Sequence, residues 1–128
     1  MYLTKLSCFL PVDVNGKDEH GWSVFHLACI YGHFTIAEML IQKSEEFKIE
    51  LNLKDRIGNT AFYWACSNGK TSIVEMMLDK RHSFKLDLTA QNNVGETGYS
   101  VSKSSGKSNI VELIEKKLPE IAYTHYVL

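Results

Sequence analysis

Four kinds of residue in this chain are suited to chemistry: a serine- and lysine-rich string, three cysteines, five histidines and a set of evenly spaced glutamates. Residues 101–108 read VSKSSGKS and end like the phosphate-cradling G-x-x-x-x-G-K-[ST] loop, whose chemistry would be nucleotide binding. Val101 stands where that loop needs its first glycine, and the pattern offers no β-strand to aim phosphate at a helix N-terminus. The string therefore reads as a polar, helix-capping stretch. Cys8, Cys29 and Cys66 are odd in number and contain no C-x-x-C pair. They predict reduced thiols of a cytoplasmic or nuclear protein, with Cys29 and Cys66 as small core residues. Zinc needs converging His and Cys ligands, and the histidines are scattered, so neither a metal nor a cofactor is expected. Glu38, Glu75 and Glu112 recur at one fixed interval on separate units, which suits solvated helix-start residues better than two carboxylates acting on one bond. No catalytic constellation emerges.

The interval itself is more informative. Gly21, Gly58 and Gly95 are each 37 residues apart, and Gly32, Gly69, Gly106 and Ile36, Ile73, Ile110 keep the same spacing. Such a period marks a stacked array in which each unit covers its neighbour's apolar face. Each unit opens on Asp18, Asp55 or Asn92, turns at its glycine, and offers Ser23, Thr60 or Thr97 as the cap of a short helix. Val24, Phe25, Leu27, Ala28 and Ala61, Phe62, Trp64, Ala65 form the apolar stripes of those helices. Trp64 is placed with the core or an inter-repeat contact. Gly32, Gly69 and Gly106 stop them, and a second helix restarts, with Thr35-x-x-Glu38, Ser72-x-x-Glu75 and Asn109-x-x-Glu112 resembling capping boxes. Ile36, Met39, Leu40 and Ile73, Met76, Met77 are its expected core positions. The alternating residues 48–53 are expected to form a loop ending in half a hairpin.

At 128 residues and 45% apolar content, the chain can bury a core. Its formal net charge of −1 leaves no electrostatic footprint for nucleic acid. The longest mostly apolar stretch, Val24 to Ile30, is interrupted by His26 and is far shorter than the roughly 20 residues a bilayer span requires. The opening MYLTKLSCFLP is too broken for a signal peptide. No membrane insertion is expected.

The residues that carry a family resemblance are Ser23-Val24-Phe25-His26-Leu27-Ala28 with Gly32-His33, and Thr60-Ala61-Phe62-Tyr63-Trp64-Ala65 with Gly69-Lys70. A third, decayed copy is Thr97-Gly98-Tyr99-Ser100-Val101-Ser102 with Gly106-Lys107. These are similar to the T-P-L-H-x-A signature and glycine-histidine pair of ankyrin repeats. The signature proline is absent from every copy, and four extra residues per unit lengthen the connector after the second helix. The resemblance implies an all-α, ankyrin-like helix-turn-helix solenoid with short β-turn or hairpin connectors. Residues 1–17 would be a partial leading repeat or N-terminal cap, 18–54 and 55–91 two full repeats, and 92–128 a degenerate third repeat and C-terminal cap. In it, Leu118, Ile121 and Tyr123 would seal the last edge, and His26 and His33 would join turn to helix by hydrogen bonds.

By the same resemblance, the chain is a non-enzymatic scaffold or adaptor that binds a protein partner through its turn tips and first-helix faces. The candidate contacts are Glu19, His20, Trp22, Ile30 and Tyr31 in the first repeat and Arg56, Ile57, Asn59, Ser67 and Asn68 in the second. Trp22, Tyr31, Arg56 and Ile57 are the expected anchors, since interface energy concentrates in aromatic and arginine side chains. Self-association through residues 1 to 30 is a further expectation, because a partial leading unit leaves the flank of the first repeat uncovered. The alternative is a substrate-recruiting or regulatory segment of a larger enzyme or channel.

Overall fold

Three hydroxyl caps start three helices in phase. The side chains of Ser23, Thr60 and Thr97 accept from the backbone N–H of His26, Tyr63 and Ser100, which starts α1 (Val24–Tyr31), α4 (Ala61–Ser67) and α6 (Gly98–Ser104). Each ends near a glycine in the left-handed region, Gly32 at φ 75° being the cap of α1. The chain then reverses into the second helices, α2 (Phe34–Gln42), α5 (Thr71–Lys80) and α7 (Ser108–Lys117). A four-residue helix, α3 (Ser44–Phe47), follows α2. The computed structural model describes residues 13–121; the expectations for Cys8, for the leading residues 1–12 and for Tyr123 lie outside the described residues.

First helices stack on first helices and second on second, α1 on α4 on α6 and α2 on α5 on α7, which is the all-α solenoid expected. The core follows the period. Phe25, Phe62 and Tyr99 occupy one column, and Leu40, Met77 and Ile114 another, all buried. In the third copy, Gly98 takes the place of Ala61 because the helices close up there. A Cβ on it would sit 2.7 Å from the Phe62 ring and 3.0 Å from the Cys66 sulfur. Cys29 and Cys66 are fully buried, and burial pushes both thiols up. Leu118 is buried and Ile121 packs against the core, so this part of the last edge is sealed as expected.

Three local expectations are corrected. The second helices begin at His33, Lys70 and Lys107, none of which makes a side-chain capping bond, so Thr35, Ser72 and Asn109 cap nothing. The tight turn after each glycine already lends a carbonyl there: Gly32 O accepts from Phe34 N–H at 3.0 Å and Gly69 O from Thr71 N–H at 3.0 Å. Residues 48–53 form the loop expected, but no strand forms among the described residues, so its hairpin end is absent. Lys48 and Lys85 instead enter the left-handed region at φ 55° and 54°, closing compact turns in which Ile49 N–H reaches Ser44 O and Leu86 N–H reaches Arg81 O. Finally, Ile36 and Met39 are 42% and 38% exposed, whereas Ile73 and Met76 are 2% and 6% exposed. The latter pair is covered by the preceding repeat, and Ile36 and Met39 lie on the flank that faces away from the stack.

Asparagine and lysine pins tie the connectors together. Asn15 Nδ2 donates to Lys48 O while its Oδ1 accepts from Glu50 N–H, and Asn52 does the same one period later with Lys85 O and Asp87 N–H. Lys17 Nζ donates to Lys54 O at 2.7 Å and Lys54 Nζ to Gln91 O at 2.9 Å.

Candidate protein-interaction surface

The turn tips are built by one side chain each. Asp18 Oδ1 accepts from the N–H groups of His20 and Trp22, Asp55 Oδ1 from those of Ile57 and Asn59, and Asn92 Oδ1 from those of Val94 and Glu96. Adjacent tips are then joined through their backbones: His20 O accepts from Arg56 N–H at 3.3 Å, and Ile57 O from Asn93 N–H at 3.1 Å. Gly21 and Gly58 permit this approach. A Cβ on either would stand 2.8 Å from the neighbouring tip's backbone nitrogen, at Arg56 and Asn93 respectively, and both residues have positive φ.

Between the first and second tips lies a pocket of about 260 Å³ walled by His20, Trp22, Ile57 and Trp64, with Glu19 and Arg56 at its rim. Asp55, only 8% exposed, forms its back. Its Oδ2 accepts from Trp22 Nε1 at 2.9 Å and Trp64 Nε1 at 2.8 Å, so one carboxylate takes four N–H groups in all. The two indoles meet edge to face, with centroids 5.8 Å apart and planes at 80°. His20 lies against Trp22 at 4.4 Å, and Tyr63 stands edge-on to Trp64 at 5.5 Å. Tyr63 donates a long hydrogen bond to Glu96 Oε1, and burial together with that carboxylate raises its hydroxyl pKa.

The predicted contacts divide into two groups. Glu19, His20, Trp22, Arg56 and Ile57 converge on this pocket, with Ile57 54% exposed. Ile30, Tyr31, Ser67 and Asn68 sit at the far ends of α1 and α4, where Asn68 Nδ2 donates to Ile30 O and Tyr31 is 61% exposed. Nine residues separate Trp22 from Tyr31, roughly 13 Å along a helix. Asn59 is the exception and is withdrawn from the surface. It is 1% exposed: its carbonyl accepts from His26, its N–H goes to Asp55, and its Oδ1 accepts from Asn92 Nδ2. The turn bends its side chain inward to bridge repeats two and three.

Trp64 makes the inter-repeat contact expected of it, edge to face with Trp22 of the preceding repeat. It is part-exposed on the pocket wall and shares Asp55 with Trp22. Val94, 78% exposed at the third tip, continues the column of His20 and Ile57 and was not among the predicted contacts. Its one available signal was its phase.

His26 is structural. Ser23 N–H donates to Nδ1 at 3.1 Å, so Nε2 carries the proton and donates to Asn59 O at 3.0 Å. Burial lowers its pKa, and the bond to the Asn59 carbonyl only partly opposes this. His33, by contrast, is exposed and only caps α2 by position. Val101–Ser104 form the last turn of α6 and Gly106 the turn after it, so the serine-rich string is helix and cap, not a phosphate loop. No group of three metal-ligating side chains occurs among the described residues, and none of their helices is long and apolar enough to cross a membrane.

A search of curated proteins returns no match. A family model described as ankyrin repeats (3 copies) matches residues 2–92, starting upstream of the first turn and ending where the decayed third copy begins. That copy keeps the stacking of α6 on α4 and α7 on α5 with its signature largely gone. With well over half of the sequence matched and the helix pairs stacked in register, the chain belongs to the ankyrin-repeat family.

Proposed function

We propose that this chain is a non-enzymatic protein-binding module of the cytoplasm or nucleus, which captures a protein partner on its turn tips and the exposed ends of its first helices. Ankyrin repeats are generally protein-protein interaction modules. The observation that carries the reading is the aromatic pocket at the first two tips, whose rings are held in place by Asp55 before any partner arrives. Preorganised anchors lose little conformational entropy on binding, which favours affinity. The test is quantitative capture from cell extract by the wild-type chain and by a Trp22→Ala, Tyr31→Ala, Ile57→Ala variant of equal circular dichroism. A partner held by the first and lost by the second supports the surface. Equal capture by both removes it.

A second contact is favoured by a separate observation. Val24, Ile36 and Met39 are 47%, 42% and 38% exposed, while Ala61, Ile73 and Met76 one period later are 1%, 2% and 6% exposed. The flank of the first repeat therefore presents the apolar face that other repeats bury, and self-association through it follows from the same stacking that builds the array.

A further inference from the structure

The pocket between the first two tips contains a charge imbalance. Asp55 is buried and ionisable, and among the described residues no lysine, arginine or histidine lies within ion-pairing distance of it. Its partners are two backbone amides and two indole N–H groups, which solvate the carboxylate without neutralising it. Both indoles line the pocket together with that charge, so the pocket presents aromatic walls beside an anion. Hydrogen bonding to a carboxylate also drives electron density from each N–H into the ring, making the π faces more negative. Both effects favour a cation against the rings, and neither favours an alkyl group. Glu19 adds a second carboxylate at the rim, and the His20 ring lies over Trp22 at 4.4 Å and 31°.

We infer that this pocket receives the arginine side chain of a partner protein, with the guanidinium held against the indole walls in front of Asp55. Guanidinium fits because it is planar, weakly hydrated and stacks on aromatic faces, whereas a lysine ammonium gives up a tighter hydration shell to enter. Arg56 is the opposing element. Its exposed side chain stands at the rim, forms no ion pair among the described residues, and competes with an incoming cation for the same field. The assignment rests on the binding-module reading and specifies what that surface recognises.

The test uses small probes and no partner. The chain has two tryptophans, Trp22 and Trp64, so both indole N–H signals in an NMR spectrum report on this pocket. Nα-acetyl-arginine amide is titrated against its neutral isostere, Nα-acetyl-citrulline amide, and against Nα-acetyl-lysine amide. The expected result is saturable movement of both indole signals with arginine, about tenfold weaker binding for citrulline, and weaker binding for lysine. Arg56→Gln should tighten arginine binding, and Trp64→Phe, which keeps a ring but loses a donor to Asp55, should weaken it. Equal affinity for arginine and citrulline overturns the inference, as does stillness of both indole signals; lysine binding as tightly as arginine overturns the choice of side chain. Each of these failures leaves partner capture by the tips intact, so the two readings fail separately.

Discussion

Replacing Asp55 by alanine should cost this protein more stability than any other single change at a turn tip. Four N–H groups lose their acceptor: those of Ile57 and Asn59 on Oδ1 and the indoles of Trp22 and Trp64 on Oδ2. Ile57 is exposed and its amide is rehydrated at little cost. Asn59 is 1% exposed, and stranding its buried amide costs about 1–3 kcal/mol. The part-buried indoles each lose a bond worth about 1 kcal/mol net, which brings the total to about 3–5 kcal/mol. That is a large share of the roughly 5–15 kcal/mol that holds a domain of ordinary size. The assay is equilibrium unfolding in urea followed by far-UV circular dichroism, with Asp18→Ala as the internal control. Asp18 makes the same two backbone bonds at the same point of its turn but is exposed and holds no indole. Asp55→Asn should fall between, since it keeps an acceptor for the backbone pair but turns an amide N–H₂ toward the two indole donors. If Asp55→Ala proves no more destabilising than Asp18→Ala, the carboxylate is not the organiser of these tips.

Other perturbations test separate features. Gly98→Ala gains about 1 kcal/mol of helix propensity but forces a methyl against Phe62 and Cys66, an overpacking cost of about 1–3 kcal/mol; a net loss of stability by urea unfolding is expected, and a gain would show that α4 and α6 separate freely. Burial holds the His26 pKa below its ordinary value, so the unfolded chain binds the proton more readily. The stability His26 contributes is therefore complete above about pH 6.5 and is lost as pH falls through its lower folded value. The urea midpoint of His26→Gln should fall less than that of wild type between neutral and mildly acid pH, and parallel curves would remove His26 as the cause. Sedimentation should show concentration-dependent association that Ile36→Lys with Met39→Glu abolishes; a wild type that stays monomeric would mean the exposed flank does not self-associate.

The stacking was legible because it is periodic. Glycine, hydroxyl cap and apolar column recur 37 residues apart, and each repeat independently reports the same geometry. The second-helix caps were misread because a hydroxyl followed by glutamate at i+3 mimics a capping box, whereas the glycine turn before it already supplies the carbonyl that closes the chain. Lys48 and Lys85 entered the left-handed region without the glycine that would have announced it. Asn59 and Trp64 illustrate a different limit. Both lie at tip or first-helix positions whose side chains can face either way, and the direction is set by their partners, Asn92 of the next repeat for one and Asp55 of the same repeat with Trp22 of the preceding one for the other. Phase along the chain identifies the column. Inward or outward orientation depends on partners that differ from one repeat to the next.

Those partners also explain why the two backbone-equivalent junctions differ. Where the first junction has Trp22, Asp55 and Trp64, the second has Asn59, Asn92 and Val101. Asn92 builds the same turn as Asp55, accepting from Val94 and Glu96 N–H at nearly the same distances. Being neutral and itself a donor, it spends its Nδ2 on Asn59 Oδ1 and Glu96 Oε1 and turns the junction into a closed polar contact. Asp55 has no N–H to give, so its second oxygen must be met by donors from elsewhere, and the two indoles that meet it carry flat aromatic surface into the pocket. A turn aspartate is thus enough to build the scaffold, but a turn aspartate flanked by two tryptophans also builds an aromatic pocket. Converting Asp55 to asparagine should then do more than weaken the fold: it should release the indoles from their shared acceptor, and the separation between the two indole N–H signals in the NMR spectrum should change even under conditions where the chain remains fully folded.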